Sequence, residues 1–532
     1  MKKILTSIVL AIAIFSCGGS SSSDNEMATF TYNSGEEGKS LDPALGTSNV
    51  TTQINTLLQE GLTKVGKNKT IEPGLAKSWD VSEDGKTWTF HLRDNLKWSN
   101  GDPLVAGDFK FAWLRALNPE TASEYAYMLY YIKGAQEYNE GKGKAEDVAI
   151  NVIDDKTLEV TLKNTIPYFE SLVSFLTYMP INEKFATEKG ADYGLEAENM
   201  LYSGPYKLVS WTHTSKMEFE KNEHYYNQEA IKVPRIVTKF IADINSAANA
   251  FKNGKFNLVK ISTEQYEEFK DDDRLLKVPV ATTWYMEYNT ETNFLKNKKI
   301  RQAITMAIDK EDIIKNVFRN INSVSYTLTP KGLGEDPSGK EFVEAVGDVI
   351  PKYNPEGAKK LLAEGLKELG LSKAPEISII LNDSGANKKI GESLQELLRN
   401  NLGLTVNIEL MQFKERLARM TSKNFDIVLA GWGADFRDPI TFLDLWVTNG
   451  GNNHTSFSNA EYDKLIDIAK TTIDKQKRFD ALKRAEEILA DEMPIGVLFS
   501  KNELYILDKS YKGIVFPSLG ADFILNYMEE VK

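Results

Sequence analysis

Residues 73–93 read PGLAKSWDVSEDGKTWTFHLR, and no other part of the chain is as informative about the fold. From Thr87 to Leu92 polar and apolar side chains alternate, which predicts a half-buried β-strand. Asp84-Gly85, just before this strand, is a hairpin or turn signal. Farther along, Phe109 to Leu117 has the pattern of a helix, with Asp108 as the expected N-cap. The stretch therefore belongs to a region of strands and tight turns.

The later half of the chain follows a different pattern, in which strands and helices alternate. Ile377–Leu381, Val406–Leu410 and Ile427–Ala430 are predicted strands, with helices between them. Ahead of them, Asn354-Pro355 combines a helix N-cap with a proline at the first helical position. This alternation is typical of an α/β domain.

Length and composition limit the class of protein. A chain of 532 residues is long enough for two or three domains with their own cores. Its 42% of hydrophobic and 26% of charged residues are an ordinary balance for a soluble protein. The net charge of -12 argues against a nucleic-acid partner, because such a partner requires a basic surface.

The N-terminus has the pattern of a secretory leader. A basic start is followed by an apolar run, Ile4–Phe15, that is shorter than the roughly 20 residues a membrane span needs. We predict a signal peptide over residues 1–16 and a flexible tether over 17–27. Cys17 is the only cysteine, and Ile14–Cys17 resembles a bacterial lipobox, with Ile where Leu is usual and Phe where a small residue is usual. We therefore predict that Cys17 is lipidated, and that the protein works outside the cytoplasm, anchored at the periplasmic face or the cell surface. An ordinary signal peptide with an incidental cysteine is the alternative.

Motifs of catalysis and metal binding are absent or incomplete. Gly61–Asn68 imitates a P-loop, but Asn68 stands where the motif requires Ser or Thr to hold a metal. The sequence contains no H-E-x-x-H pair and no G-x-S-x-G elbow, and its four histidines are scattered. With a single cysteine, the mature chain has neither a disulfide nor a thiolate metal site. We expect no enzymatic activity, no metal and no cofactor.

The stretch 73–93 also carries a likeness to a known family. With its continuation through Phe109, it closely resembles the signature of the extracellular solute-binding proteins of peptide ABC importers, also called family 5 binding proteins. Among these, the oligopeptide-binding proteins look most similar. Further matches come in the family's order along the rest of the chain: Ser203–Tyr206, Asn222–Tyr226, Ile300–Ala303, Ile308–Lys310, Asn354-Pro355, Gly431–Asp435 and Asp438-Pro439.

The resemblance implies an α/β, two-lobe periplasmic-binding-protein-like fold of type II, cluster C, with an inserted third domain. Lobe one would comprise residues 28–60, 182–281 and 503–532. The inserted, strand-rich domain would be 61–181, and lobe two would be 282–502. The lobes would close over a ligand by a hinge motion, with bound ligand favouring the closed state.

Asp435 is the residue that we expect to bind the ligand's charge. It follows a buried strand and a Gly-Trp-Gly turn, so it lies at the carboxyl end of a strand, where ligands of α/β lobes bind. In the oligopeptide binders the matching Asp pairs with the peptide's α-ammonium. A turn or helix-capping Asp is the alternative, although Asp438 before Pro439 already has the N-cap position. The resemblance implies further ligand contacts, for which core or loop packing is the alternative: Gly431, Trp432, Gly433, Tyr125, Phe413, Ser48, Asn49 and Tyr285.

The chain departs from the family where relatives often bind the peptide's C-terminal carboxylate with basic groups. At the matching positions stand Asn387, Met420 and Leu429, with Arg419 one residue away. Without a basic partner a carboxylate is held weakly, so we expect loose selection of peptide length, and whether Arg419 restores an anchor stays open. Some relatives also carry cysteines where this chain has Thr282 and Gly433.

The resemblance implies a monomeric lipoprotein that captures oligopeptides and delivers them to the membrane permease subunits of an ABC importer. The same fold binding another solute is the alternative: a dipeptide, a nickel chelate, haem or an oligosaccharide. Asp435 favours an amine-bearing ligand, and the scarcity of histidine argues against metal chelates. A surface hydrolase or a chaperone-like binder is the alternative from another class. Peptide length, side-chain preference, the transporter served, and inner versus outer membrane stay open.

Overall fold

The structure is a computed structural model that describes residues 28–46 and 48–531. The predictions of a signal peptide (1–16), of lipidation at Cys17 and of a tether (17–27) therefore lie outside the described residues.

The described residues form strands and helices in a mixed order. The strands are β1 Thr29–Asn33, β2 Thr63–Val65, β3 Ile71–Pro73, β4 Ala76–Val81, β5 Thr87–Leu92, β6 Ile150–Asp154, β7 Thr157–Thr161, β8 Tyr206–Thr212, β9 Lys216–Lys221, β10 Arg235–Lys239, β11 Leu258–Ile261, β12 Leu275–Tyr288, β13 Ser323–Val324, β14 Ile377–Asn382, β15 Val406–Met411, β16 Ile427–Gly433, β17 Ile495–Leu507, β18 Tyr511–Lys512 and β19 Glu529–Glu530. The helices are α1 Asn49–Leu58, α2 Ala106–Leu117, α3 Ala135–Asn139, α4 Phe169–Leu172, α5 Glu183–Lys189, α6 Ile244–Lys252, α7 Tyr266–Phe269, α8 Lys298–Met306, α9 Lys310–Asn316, α10 Phe342–Val346, α11 Pro355–Glu368, α12 Gly385–Leu402, α13 Phe413–Thr421, α14 Ile440–Leu443, α15 Ala460–Thr471 and α16 Lys475–Glu492.

The predicted strand at 87–92 is confirmed as β5, the second strand of an antiparallel sheet with the order β4-β5-β7-β6. Trp88 and Phe90 point to one face of this sheet, where both pack against Phe169. The helix predicted to begin at Phe109 instead begins at Ala106. Asp108 is its third residue, and the carboxylate accepts hydrogen bonds from the Val105 N–H and the Trp98 indole, each at 3.0 Å.

A larger mixed sheet holds the α/β part of the molecule together. Its strands run in the order β15-β14-β16-β12-β17-β11-β1-β10-β9-β8, with β13 beside β17. β14 is parallel to β15 and β16, and β1 is parallel to β10 and β11. The predicted strands at 377–381, 406–410 and 427–430 are confirmed as β14, β15 and β16.

Two long strands in the middle of this sheet connect its two sides. β12 has 14 residues and β17 has 13, and they pair antiparallel. The ladder breaks where Pro279 pairs with Asn502 and the next pair is Thr283 with Ser500. Three residues of β12 therefore lie opposite the single residue Lys501, which makes a bulge. On one side of the bulge β17 pairs with β11, and on the other side β12 pairs with β16.

Candidate ligand-binding cleft

A cleft of about 390 Å³ lies against the bulge. Segments that are far apart in the chain meet in its walls, since α1, the region before α3, the end of β16 and the loop after β18 all contribute. Residues from all of these segments line the cleft, including Asn49, Tyr125, Tyr127, Met128, Phe175, Gly433, Asp435, Lys501, Glu503, Tyr505, Leu519 and Asp522.

Asp435 lies two residues beyond the end of β16, at the edge of the sheet where parallel strands end. Val428 and Leu429 are buried in the core, whereas Asp435 is exposed to the cleft. The loop is held in place by the Asp435 N–H, which donates to Thr441 Oγ1 at 3.1 Å. This local structure points the carboxylate away from the core that anchors its strand.

The carboxylate of Asp435 has no ion-pair or hydrogen-bond partner in residues 28–46 and 48–531. Partial burial raises the pKa of this carboxyl above its ordinary value, because the charged form loses part of its hydration. A charge that is partly desolvated and unpaired interacts strongly with a cation that enters the same cleft. The arrangement can therefore bind a cationic group.

The neighbouring carboxylate of Asp438 is already paired, whereas the buried Nη2 of Arg437 has no hydrogen-bond partner among the described residues. Arg478 binds both carboxylate oxygens of Asp438, at 2.7 and 2.8 Å. One Asp438 oxygen also accepts the Ile440 N–H at 2.9 Å, but the N-cap of α14 is Pro439, so the expected N-cap position of Asp438 is wrong by one residue. Arg437 donates to the carbonyl oxygen of Lys69. Of the two acidic groups on this loop, only Asp435 is left for a ligand.

The floor of the cleft beside the bulge carries its own charges. Glu503 is bound by Lys260 at 2.5 Å and by Lys501 at 3.2 Å. Burial raises the pKa of Asp522 above its ordinary value, and the nearby Lys260 offsets this only in part. Lys260 and Lys501 neutralise Glu503, and Asp522 has the Tyr505 hydroxyl and the nearby Lys260 as neighbours, whereas Asp435 has no such partner.

Four of the residues predicted for the site line the cleft: Asp435, Gly433, Tyr125 and Asn49. The Tyr125 ring packs edge-on against Phe175, with centroids 5.5 Å apart. Gly433 pairs with Thr282 across β16 and β12, so the two positions at which some relatives carry cysteines lie side by side.

The other predicted residues lie outside the walls of the cleft. Ser48 is the N-cap of α1, where its hydroxyl accepts the Thr51 N–H at 3.1 Å. A Cβ on Gly431 would lie 2.9 Å from the Trp284 ring, so glycine there allows close packing. Trp432 is partly buried, and its indole N–H finds no partner among the described residues.

Tyr285 and Phe413 are also outside the walls in this arrangement. Tyr285 is buried in the core and packs edge-on against Trp446, with ring centroids 5.6 Å apart. Phe413 begins α13 at the same sheet edge as Asp435 and is 57% exposed. The guanidinium of Arg416 lies 5.4 Å from its ring centroid.

At the far side of this edge, the three positions expected to face the peptide's carboxylate carry no charge. Asn387, Met420 and Leu429 are buried. Arg419 donates to Glu409 at 2.5 Å and to the carbonyl oxygen of Asn424 at 2.9 Å. Its guanidinium is therefore occupied by the protein itself.

The sequence interpretation missed part of the cleft. Tyr127 and Met128 come from the region before α3, Phe175 follows α4, and residues 517–522 form a wall from the loop near the C-terminus. The Pro517–Gly520 loop signal was the only local indication for that wall.

None of the helices in 28–46 and 48–531 is long and apolar enough for a membrane span. In the same residues, no group of three or more His, Cys, Asp or Glu side chains is arranged to hold a metal ion.

The fold and the cleft are those of a solute-binding protein with two α/β lobes. The sequence matches the family described as bacterial extracellular solute-binding proteins, family 5 Middle, over residues 70–454. It is 36% identical to the oligopeptide-binding protein OppA of Bacillus subtilis, over 98% of this chain and 97% of that protein. The chain belongs to the family 5 bacterial extracellular solute-binding proteins, which confirms the predicted family and the predicted α/β two-lobe fold class.

Solved structures show which arrangement of the lobes is present. The chain superposes on the murein tripeptide-binding protein MppA in its unliganded open form with a TM-score of 0.87, at 25% identity, covering 95% of this chain and 98% of that one. Against Listeria monocytogenes OppA bound to peptide, the TM-score is 0.66 at 32% identity, covering 95% and 100%. The less similar sequence gives the better superposition, so the arrangement here resembles the open one.

Proposed function

We propose that this chain is an extracytoplasmic, lipid-anchored binding protein that captures oligopeptides between its lobes and delivers them to the permease of an ABC importer. The observation that carries this proposal is the unpaired, partly buried carboxylate of Asp435 in the cleft. It binds the α-ammonium of the peptide, and no turnover of the peptide follows.

The rest of the cleft suits an extended peptide. Each peptide residue offers one backbone donor and one acceptor, and backbone partners bind such a chain without selecting side chains. Gly433 brings the end of β16 to the cleft with no side chain in the way. Tyr125 and Phe175 supply aromatic surface against which a side chain can pack.

Closure over the peptide requires a hinge, and the bulge between β12 and β17 is suited to be one. Among the described residues, β12 and β17 are the strands that run through it, and their ladder is interrupted between Pro279 and Thr283. This interruption adjoins the predicted boundary between lobe one and lobe two, which lies between residues 281 and 282. We infer that lobe two rotates about it, with peptide binding favouring the closed state.

The capture experiment starts with freshly purified protein. Native mass spectrometry should detect co-purified peptides, and calorimetry on the stripped protein should then show binding of a synthetic pentapeptide. Small-angle scattering with saturating pentapeptide should show a smaller radius of gyration as the lobes close. Binding of a sugar, haem or a nickel chelate, with none of peptides, would overturn the proposal.

Lipid anchoring is tested separately. Replacing Cys17 by Ala should release the protein from the membrane fraction or leave it unprocessed. Normal processing together with unchanged membrane attachment would contradict the anchor without affecting the binding proposal.

A further inference from the structure

The two residues that follow Asp435 contact a part of the molecule outside the lobe that carries them. Phe436 stacks face to face on the Tyr168 ring, with ring centroids 4.6 Å apart and an angle of 7° between the ring planes. Arg437 donates a hydrogen bond to the carbonyl oxygen of Lys69. Tyr168 and Lys69 belong to the predicted inserted domain, whereas the loop belongs to the predicted lobe two. The loop of the ligand carboxylate is therefore fixed in part by the inserted domain.

Tyr168 is itself held in a defined position. It is 7% exposed and is the N-cap of α4. The next residue, Phe169, is buried and packs edge-on against Trp88, with ring centroids 5.5 Å apart. The Tyr131 ring meets the Tyr168 ring edge-on at 6.3 Å. Because close-packed side chains in a core keep one arrangement, Tyr168 presents a fixed ring plane to Phe436.

The loop beyond Phe436 is braced from within lobe two. Arg478, which binds both carboxylate oxygens of Asp438, also donates to the carbonyl oxygen of Ala469 at 2.8 Å. Its guanidinium carbon lies 5.8 Å from the centre of the Tyr168 ring, within the range of a cation–π contact. Tyr168 therefore contacts both the ring beside Asp435 and the arginine that fixes Asp438.

A second contact between the same two parts of the molecule lies at the turn between β4 and β5. A Cβ on Gly85 would lie 2.6 Å from Ile473 Cγ2, so this turn closely approaches the segment between α15 and α16. The turn is fixed by Thr165, whose hydroxyl donates to the carbonyl oxygen of Asp84 at 2.8 Å. The ring stack is therefore one contact in a larger face between the inserted domain and lobe two.

The position of the Asp435 carboxylate depends on the backbone on both sides of it. On one side the Ala434 N–H donates to the carbonyl oxygen of Ala281 at 2.8 Å, and the Asp435 N–H is held by Thr441. On the other side the stack holds Phe436. No side chain among the described residues pairs with the carboxylate itself. Since a charge-assisted hydrogen bond requires a short distance and a favourable angle, a small shift of this loop weakens a pair with a ligand.

We propose that Tyr168 is a positioning residue for the ammonium site, which holds the Asp435 carboxylate in place for the ligand's α-ammonium by stacking on Phe436. Tyr168 does not line the cleft, so it acts on the ligand through Asp435 and not by contact. This inference rests on the proposed function and adds to it a residue of the inserted domain that sets the strength of the charge pair.

Calorimetry with one pentapeptide, as its free amine and as its N-acetyl form, tests the proposal. In Tyr168→Leu the ring plane is lost while an apolar side chain remains. Affinity for the free amine should fall about tenfold, and affinity for the N-acetyl form should change less than threefold. The loss of affinity on acetylation, the acetylation penalty, should therefore shrink, which a general loosening of the fold does not produce.

Two control variants should keep the acetylation penalty of the wild type. Tyr168→Phe retains the ring and removes only the hydroxyl. Tyr138→Leu removes a partly buried ring that packs against the same core but neither lines the cleft nor stacks on Phe436. A penalty that shrinks equally in either control would show that the ring of Tyr168 has no specific role.

The partner ring gives an independent test. Phe436→Leu should reduce the acetylation penalty by about the same factor as Tyr168→Leu, and the double variant should show no further reduction, because both changes break one contact. This variant also keeps the proposal falsifiable if Tyr168→Leu does not fold. An unchanged penalty in Phe436→Leu would overturn the proposal.

The remaining outcomes separate this inference from the proposed function. If Tyr168→Leu weakens binding of both peptide forms equally, or of neither, the protein binds peptides but Tyr168 does not position Asp435. If the wild type binds no peptide, the proposed function fails and this inference fails with it. A penalty that shrinks in Tyr168→Leu and Phe436→Leu, and in neither control, supports the assignment.

Discussion

Two charged residues at the same edge of the large sheet differ in whether the protein itself pairs them. After β16, Asp435 has a partly desolvated carboxylate with no cation beside it in the described structure. After β15, the guanidinium of Arg419 donates hydrogen bonds to Glu409 and to the carbonyl oxygen of Asn424. A charge that the protein leaves unpaired is available to a ligand, whereas a paired one is not. We therefore expect the proposed site to bind one end of a peptide tightly and the other end loosely.

The largest expected effect comes from removing the free charge. Asp435→Asn keeps the shape of the side chain, and losing one partner of a desolvated charge pair costs about 2–5 kcal/mol. Calorimetry should therefore show a roughly 30-fold or greater loss of peptide affinity. Asp444→Asn is the matched control, because Asp444 is on the same lobe and pairs with Lys470 at 2.9 Å. A loss of peptide affinity below about threefold in Asp435→Asn would contradict the expected difference in how tightly the two ends of the peptide are bound.

The pH dependence of peptide affinity should follow the titration of the Asp435 carboxylate. Its pKa in the free protein is raised, and pairing with the ammonium lowers it, so the pair contributes fully above the free-protein pKa. As pH falls through that pKa, affinity should fall by up to about tenfold per pH unit. Above about pH 8 affinity should fall again as the peptide's α-amino group loses its proton. Peptide titrations from acid to alkaline pH test this, and an affinity in Asp435→Asn that keeps the acid limb would contradict it.

An aromatic residue that lines the cleft should contribute more to binding than one outside its walls. Tyr125 lines the cleft and packs on Phe175, so Tyr125→Ala should weaken binding roughly tenfold while Tyr125→Phe stays within about threefold. Phe413 is 57% exposed and outside the cleft walls, so Phe413→Ala should change affinity less than Tyr125→Ala does. Equal losses at both positions would show that closure brings Phe413 fully onto the peptide.

The smallest effect is expected at the peptide's C-terminus. Amidating the C-terminal carboxylate should change affinity less than tenfold at every peptide length, because Arg419 is occupied and Asn387, Met420 and Leu429 carry no charge. A carboxylate can remain solvated by trapped water at small cost. Calorimetry with acid and amide forms of several lengths checks this. A loss above tenfold at a single length would reveal a specific anchor and make the prediction wrong.

Local sequence patterns predicted the strands and helices better than the contacts between segments that are distant in the chain. The alternation from Thr87 to Leu92 and the buried run of β16 are short-range signals, so both strands and the position of Asp435 at a strand end followed from them. The start of α2 was misplaced because Asp108 has the residue type of a cap but acts from the third helical position. The wall formed by residues 517–522 could not be predicted, since it meets Asp435 through contacts between segments that are far apart in the chain.

The central claim is that Asp435 holds the peptide's α-ammonium. The most direct test is a double cycle by calorimetry, with wild type and Asp435→Asn each binding a peptide as its free amine and as its N-acetyl form. The account predicts that acetylation costs the wild type roughly 30-fold or more and costs the variant much less, because the partner charge is already gone. Equal affinity of the wild type for free and acetylated peptide, or the same loss in both proteins, would contradict it.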